Sequence, residues 1–217
     1  MHIHYISEEN SILNHFLAQI RDVTIQSDSM RFRKNIERIG EIMAYELSKT
    51  LAYKKIDVQT PLAIKSTTTL ADNVVLCSIL RAGLALHTGF MNIFDAAENG
   101  FVSAYRNHYN NDDDFEIAVE YQAAPSFENK NLILIDPMLA TGQSIVAVFN
   151  KLMTEQTPKE IHIAVVIAAP EGIAYLEQHL PKNCHLWVAA LDEKLNDKNY
   201  IVPGLGDAGD LAYGSKL

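Results

Sequence analysis

Residues 132–144 read Leu-Ile-Leu-Ile-Asp-Pro-Met-Leu-Ala-Thr-Gly-Gln-Ser: an apolar run, then an acid, then a turn of small residues opening into a helical pattern. Residues 132–135 suit a strand covered on both faces of a parallel sheet, and Ile145, Val146, Val148, Phe149 and Leu152 recur at helical spacing just beyond. The turn is thereby placed at the carboxyl edge of a strand, where open α/β sheets bind ligands, and at a helix N-terminus, whose free N–H groups attract a phosphate dianion. Ala140, Thr141 and Gly142 keep the backbone approachable, and the hydroxyls of Thr141 and Ser144 can donate to phosphate oxygens. Asp136 stands at the mouth, placed for sugar hydroxyls; its plainer alternative is a carboxylate capping the turn.

From residue 74 onward strand, turn and helix alternate. Residues 74–80, 100–105, 132–135, 162–168 and 186–190 read as strands, and 84–94, 144–154 and 172–180 as helices. This predicts an α/β fold, a mostly parallel twisted sheet with helices on both faces, in a single domain spanning 1–217. Upstream, 11–20 and 30–51 carry helical patterns, the second with Phe32, Ile36, Ile39, Met43 and Leu47 on one stripe. Residues 58–64 and 67–70 read as short strands around Pro61, forming a hairpin. Residues 107–114, the most polar stretch, read as a mobile loop, with 115–121 alternating as a strand after it. Asn110, Asn111, Asp112, Asp113 and Asp114 can hold a cation or simply be solvated.

The charge balance, 18 basic against 27 acidic side chains or −9 overall, argues against nucleic-acid binding, which needs a basic face. Anionic substrates remain open, because a few convergent arginines set the local potential. The two cysteines, Cys77 and Cys184, fit neither a disulfide framework nor a zinc spacing, and point to a reducing, cytoplasmic setting. The N-terminus lacks the charged and apolar regions of a signal peptide, and no apolar stretch approaches the ~20 residues of a membrane span.

Other residues carry weaker signals. Arg81 leaves the apolar run 74–80 at the same sheet edge as Asp136, where its planar fork can clamp anionic oxygens or form an ordinary ion pair. Arg106 by itself reads as a solvated loop charge. Gly204, Gly206 and Gly209 match G-x-G-x-x-G, yet a dinucleotide fingerprint needs a strand before and a long helix after, and only 217 − 209 = 8 residues follow. The better reading of 203–209 is an irregular loop whose backbone N–H and C=O groups face a planar base; a ligand-free turn is its alternative. The eight histidines show no metal-site spacing, although His2 and His4 can bind a metal adventitiously, and the six methionines read as core except Met138. A Walker loop is excluded because Thr141-Gly142-Gln143-Ser144 lacks its lysine.

The strings Asp-Pro-Met-Leu-Ala-Thr-Gly at 136–142, Ser-Ile-Leu-Arg-Ala-Gly-Leu at 78–84 and Tyr-Ile-Val-Pro-Gly-Leu-Gly-Asp-Ala-Gly-Asp at 200–210 together resemble the uracil phosphoribosyltransferases. Arg31-Phe32-Arg33 and Ala-Ala-Pro-Glu-Gly-Ile at 168–173 extend the likeness over nearly the whole chain. The resemblance implies a type I phosphoribosyltransferase fold with a small hood from the N- and C-terminal segments. It implies transfer of phosphoribosyl from phosphoribosyl pyrophosphate (PRPP) to N1 of uracil, giving UMP, with Mg²⁺ as cofactor. By the same resemblance, PRPP is held by Arg81, Arg106, Asp136, Pro137, Met138, Leu139, Ala140, Thr141, Gly142, Gln143, Ser144 and Asp207. Ile201, Gly206, Asp207 and Ala208 contact uracil; Asp207 also meets the metal, through PRPP and water; and Arg81, Arg106 and Asp207 carry catalysis. A homo-oligomer, dimer or tetramer, is implied, and a GTP effector is left open.

The sequence departs from the family pattern at Gln143, where a second glycine is usual, and after Arg106, where His108-Tyr109-Asn110 replaces Glu-Glu-Thr. Asp210 is followed by Leu211-Ala212-Tyr213 rather than a basic residue. The single acid before Pro137, where many phosphoribosyltransferases carry two, is the uracil-specific form. The competing readings are a regulatory nucleotide-binding protein on the same fold and an enzyme for another base.

Overall fold

The structure is a computed structural model that describes residues 1–108, 115–154 and 156–215, with the backbone alone at 105–108 and 115–117. In chain order its elements are β1 (His2–Tyr5), α1 (Ile12–Arg21), α2 (Ser29–Ser48), β2 (Tyr53–Gln59), β3 (Ile64–Leu70), β4 (Val74–Leu80), α3 (Leu84–Ile93) and β5 (Glu98–Ser103). There follow β6 (Tyr105–His108), β7 (Phe115–Ala118), β8 (Gln122–Ala123), β9 (Asn131–Ile135), β10 (Met138–Leu139), α4 (Gln143–Leu152), β11 (Glu160–Ala168) and α5 (Pro170–His179). The chain closes with β12 (His185–Leu191), β13 (Lys194–Leu195), β14 (Ile201–Val202) and α6 (Ala208–Tyr213).

The main sheet has the order β1-β12-β11-β9-β4-β5-β8, with β10 paired to β11, and every pairing is parallel except β5 with β8. Two cores flank it. Ile133 and Ile135 of β9 face α1, α2 and α3, while Leu132 and Leu134 face α4 and α5. Alternate residues of one strand enter different cores, which is why the run at 132–135 is apolar throughout.

Helix α2 lies against α3 at a crossing where only glycine fits. A Cβ on Gly89 would stand 2.1 Å from the carbonyl oxygen of Glu37, and one on Gly40 2.7 Å from that of Leu86. Both obstructions are backbone and cannot swing aside.

Several boundaries differ from the sequence reading. The hairpin is β2–β3, paired antiparallel from Tyr53↔Leu70 to Gln59↔Ile64, so its first strand begins at 53 and ends at 59, its second begins at 64, and Pro61 lies in the connecting turn. Most of its residues are exposed, so no buried face imposed a periodicity that would mark the ends. Asn107 and His108, read as loop, belong to β6, which pairs antiparallel with β7; residues 109–114 lie outside the described residues. The C-terminal segment is not wholly irregular, since β14 precedes Gly204 and Gly206, and Gly209 lies within α6. Met43 is fully buried as expected, but Met30 and Met91 are exposed.

Strand β1 was not anticipated. It adds to the sheet edge beside β12, and its His4 ring stacks 3.9 Å from Trp187, with Nε2 3.1 Å from Nδ1 of His185. Burial and neighbouring imidazoles lower the pKa of His4, His162 and His185, so these rings pack as neutral groups. Both cysteines are free and buried, their thiols pushed by burial to about 12 for Cys77 and about 11 for Cys184, which leaves them inert.

Gly89→Ala is expected to destabilise the protein by about 1–3 kcal/mol through forced separation of α2 and α3. Urea denaturation against an exposed Thr→Ala control on β3 measures the loss.

Candidate functional site

Strands β4, β9 and β11 run in one direction, so the segments leaving their carboxyl ends meet along one edge. Arg81 leaves β4 there, through a cis Leu80–Arg81 peptide, and Asp136 leaves β9. After Asp136 the chain adds β10 against β11, Met138↔Ile167 and Leu139↔Ala168, then turns through Ala140–Gly142 into α4. Gly142 caps α4 at φ 81°, a left-handed conformation that glycine adopts without strain. The turn is pinned from behind by α5: a Cβ on Gly172 would lie 2.2 Å from the Ala140 carbonyl oxygen. The N–H groups of the first turn of α4 have no partners within the helix and are available to a ligand.

This turn lines a cavity of about 710 Å³ together with Asp136, Met138, Ser144, Ile201, Asp207 and the stretch Lys198–Tyr200. Arg81 and Ala208 line a contiguous recess of about 170 Å³ that also touches Asp136, Ser144 and Asp207. Gly206 lines a third, of about 330 Å³, with Asp207 and Asp210. Asp207, common to all three, is the hinge of the arrangement.

Two of the expected residues do not line this cavity. Pro137 is buried with its carbonyl accepting the N–H groups of Val166 and Ile167 at 3.0 Å, which holds the loop to β11. Gln143 does not line the cavity, so the added side chain does not narrow the phosphate loop. Arg106 lies on β6, and its side chain is outside the described residues.

Asp136 Oδ1 accepts the Met138 N–H at 3.2 Å, so the capping role exists. It does not compensate for the setting: burial raises the Asp136 carboxyl to about 7, and the Asp207 charge adds to the rise. Asp207 is exposed and caps α6, its Oδ1 accepting the Asp210 N–H at 2.9 Å. Arg81 donates through Nη2 to Asp210 Oδ1 and to the Gly214 carbonyl, each at 3.1 Å. Its Nε is buried without a partner among the described residues, a donor left for an anion.

Lys198 was missed by sequence reasoning. It occupies the tip of the β13–β14 hairpin, in a turn tied by Asn196, whose Oδ1 accepts the N–H groups of Lys198 and Tyr200, both at 3.0 Å. Asn199 completes that turn at φ 61°. Among the described residues, Lys198 is the basic one on a cavity wall that also carries the acids Asp136 and Asp207. Nothing in its local sequence separates it from a solvated surface lysine.

The family model described as uracil phosphoribosyltransferase matches residues 7–215. The chain belongs to the uracil phosphoribosyltransferase family. A protein of that name from Porphyromonas gingivalis is 50% identical over 217 residues, covering 100% of both chains. Another from Thermococcus gammatolerans is 37% identical, covering 98% of this chain and 94% of its own. Among solved structures, a protein from Aquifex aeolicus superposes with a TM-score of 0.87 at 29% identity, covering 99% of each chain. A hypoxanthine phosphoribosyltransferase from Staphylococcus aureus, TM-score 0.50 at 14% identity and covering 86% and 84%, shares the fold. Asp136 is the one carboxylate that strand β9 delivers to the cavity.

The raised Asp136 carboxyl has a stability consequence whose sign is fixed. Its folded pKa of about 7 exceeds its unfolded value of 3.8, so the folded state binds the extra proton and loses relative stability as pH climbs through that window. Asp136→Asn is therefore expected to stabilise the ligand-free protein by about 1–2 kcal/mol at pH 8, with the gain shrinking toward pH 4. Denaturant unfolding at the two pH values checks it.

Proposed function

We propose that this chain transfers the 5-phosphoribosyl group of PRPP to N1 of uracil, releasing UMP and pyrophosphate as one phosphoribosyltransferase domain. The supporting observation is that the phosphate-type turn 140–144 and the segment containing Ile201 and Asp207 line the same cavity. In this reading the 5-phosphate rests on Ala140, Thr141, Gly142 and Ser144, and the ribose hydroxyls donate to Asp136. The pyrophosphate meets Arg81 and Arg106. Ile201, Gly206 and Ala208 read the O4, N3 and O2 edge of uracil through backbone groups.

Mg²⁺ fits this donor set when carried in by PRPP. Asp207, which lines the cavity, would face the ion, whose remaining oxygen ligands would come from PRPP and water. When bound, Mg²⁺ offsets charge on the pyrophosphate. The chain's residues do the rest. Hydroxyl donation to Asp136 favours its ionised form, and the resulting carboxylate holds the sugar while positive charge develops on the ring. Arg81 exchanges Asp210 and the Gly214 carbonyl for the leaving group. Fixing both ends of PRPP beside uracil removes much of the entropic cost of bringing two reactants together.

A second copy of the chain is proposed as a partner. Leu62 is 97% and Ile64 67% exposed on the β2–β3 hairpin, large apolar surface that self-association would cover. Light scattering of Leu62→Asp/Ile64→Asp is expected to report a smaller species than wild type. The free buried thiols support a cytoplasmic setting. No described helix is long and apolar enough to cross a membrane.

UMP formation from uracil, PRPP and Mg²⁺, compared with cytosine, orotate and hypoxanthine, is the deciding assay. Turnover is expected with uracil, and Asp207→Ala should lower kcat/KM by about 100-fold or more. Lys198→Gln should raise the PRPP KM about threefold to tenfold at low salt and less at high salt. Adding GTP to the same assay tests the effector. Binding of PRPP without turnover of any base would instead favour the regulatory reading.

A further inference from the structure

Just before the base-side segment, Gly204 is gripped on both sides of its backbone by one buried ion pair. Arg21, the last residue of α1, donates through Nη1 and Nη2 to Asp192 at 2.9 and 2.6 Å, and through Nη1 to the Gly204 carbonyl at 2.8 Å. Asp192 Oδ2 in turn accepts the Gly204 N–H at 3.1 Å. Asp192 follows β12, its own N–H donating to the Ala168 carbonyl at 2.8 Å, so the grip is anchored to the main sheet. The Asp192 side chain is 4% exposed and that of Arg21 23%. Gln26 Nε2 donates to the Arg21 carbonyl at 2.9 Å, and its Oε1 lies within 4 Å of the Cβ position of Gly206.

Burying an ion pair is a poor way to gain stability, because the desolvation cost offsets the attraction. What this one supplies is orientation. A fork of donors and a two-oxygen acceptor together fix both the N–H and the C=O direction of Gly204, at φ 65°, and hence the path of the chain into Gly206 and Ala208. An apolar pair of equal volume would close the loop without setting that direction.

We propose that Arg21 and Asp192 are positioning residues for base recognition: through Gly204 they hold the backbone of 204–208 in the orientation that selects the pyrimidine edge. This rests on the reading of Ile201, Gly206 and Ala208 as the uracil contacts. Neither residue touches substrate.

The test uses the full chain in steady-state assays of Arg21→Gln, Asp192→Asn and the conservative Arg21→Lys. Arg21→Gln and Asp192→Asn are expected to raise the uracil KM about tenfold, with the PRPP KM changing less than about twofold. They should also narrow the preference for uracil over cytosine, and Arg21→Lys should recover part of both effects. Gly89→Ala, destabilising but remote from the grip, controls for lost stability and should leave the uracil KM and the base preference unchanged. Unchanged uracil KM in Arg21→Gln and Asp192→Asn would overturn the proposal, as would equal rises in both substrates' KM. If the wild-type chain turns over no base, the underlying functional reading fails instead. If either variant does not fold, Arg21→Lys alone decides, by whether its uracil KM rises while its PRPP KM does not.

Discussion

Everything at the candidate site depends on burying a parallel sheet on both faces. Strands β4, β9 and β11 have no solvent-facing side, so each must be followed by a connection that crosses a face and returns, and all their exits collect at one edge. That geometry brings Arg81 and Asp136, 55 positions apart by 136 − 81, to one recess. It also explains why close-packed glycines matter away from the site. Gly89 lets α3 approach α2, and Gly172 lets α5 approach the phosphate turn, so helix packing and loop position are set together.

The second organising force is electrostatic. An acidic chain, −9 overall, has built a cavity for an anion around two carboxylates. The conflict shows in Asp136, whose proton is retained to about 7 in the absence of ligand. Among the described residues, backbone N–H groups of the α4 turn, Arg81 and Lys198 oppose it from separate elements. A strained carboxylate of this kind is characteristic of positions kept for binding rather than stability.

The legible part of the sequence was the part where burial imposes a pattern. The strands of the sheet center and helices α1 to α5 were readable because their apolar spacing has one physical cause, and the 132–144 string because strand, acid and small turn occur without a gap. Outside the core the signal fades. Hairpin β2–β3 is exposed on most positions, and β1 is at most half-buried and carries two histidines, which read as polar. The site was legible where residues are contiguous, as at Asp136 to Ser144. Lys198, Arg21 and Asp192 were not, because each gains its role from a neighbour distant in sequence: Arg21 and Asp192 are 192 − 21 = 171 positions apart. Pro137 and Gln143 came with the string but do not line the cavity, Pro137 because its carbonyl is tied to β11.

The parked state of Arg81 has a consequence for selectivity. Its guanidinium is occupied by Asp210 and a carbonyl of the C-terminal tail, so an incoming anion meets a competitor already in place. A singly charged or monodentate anion gains too little to displace two partners, whereas a polyanion that also engages the α4 turn gains at several points at once.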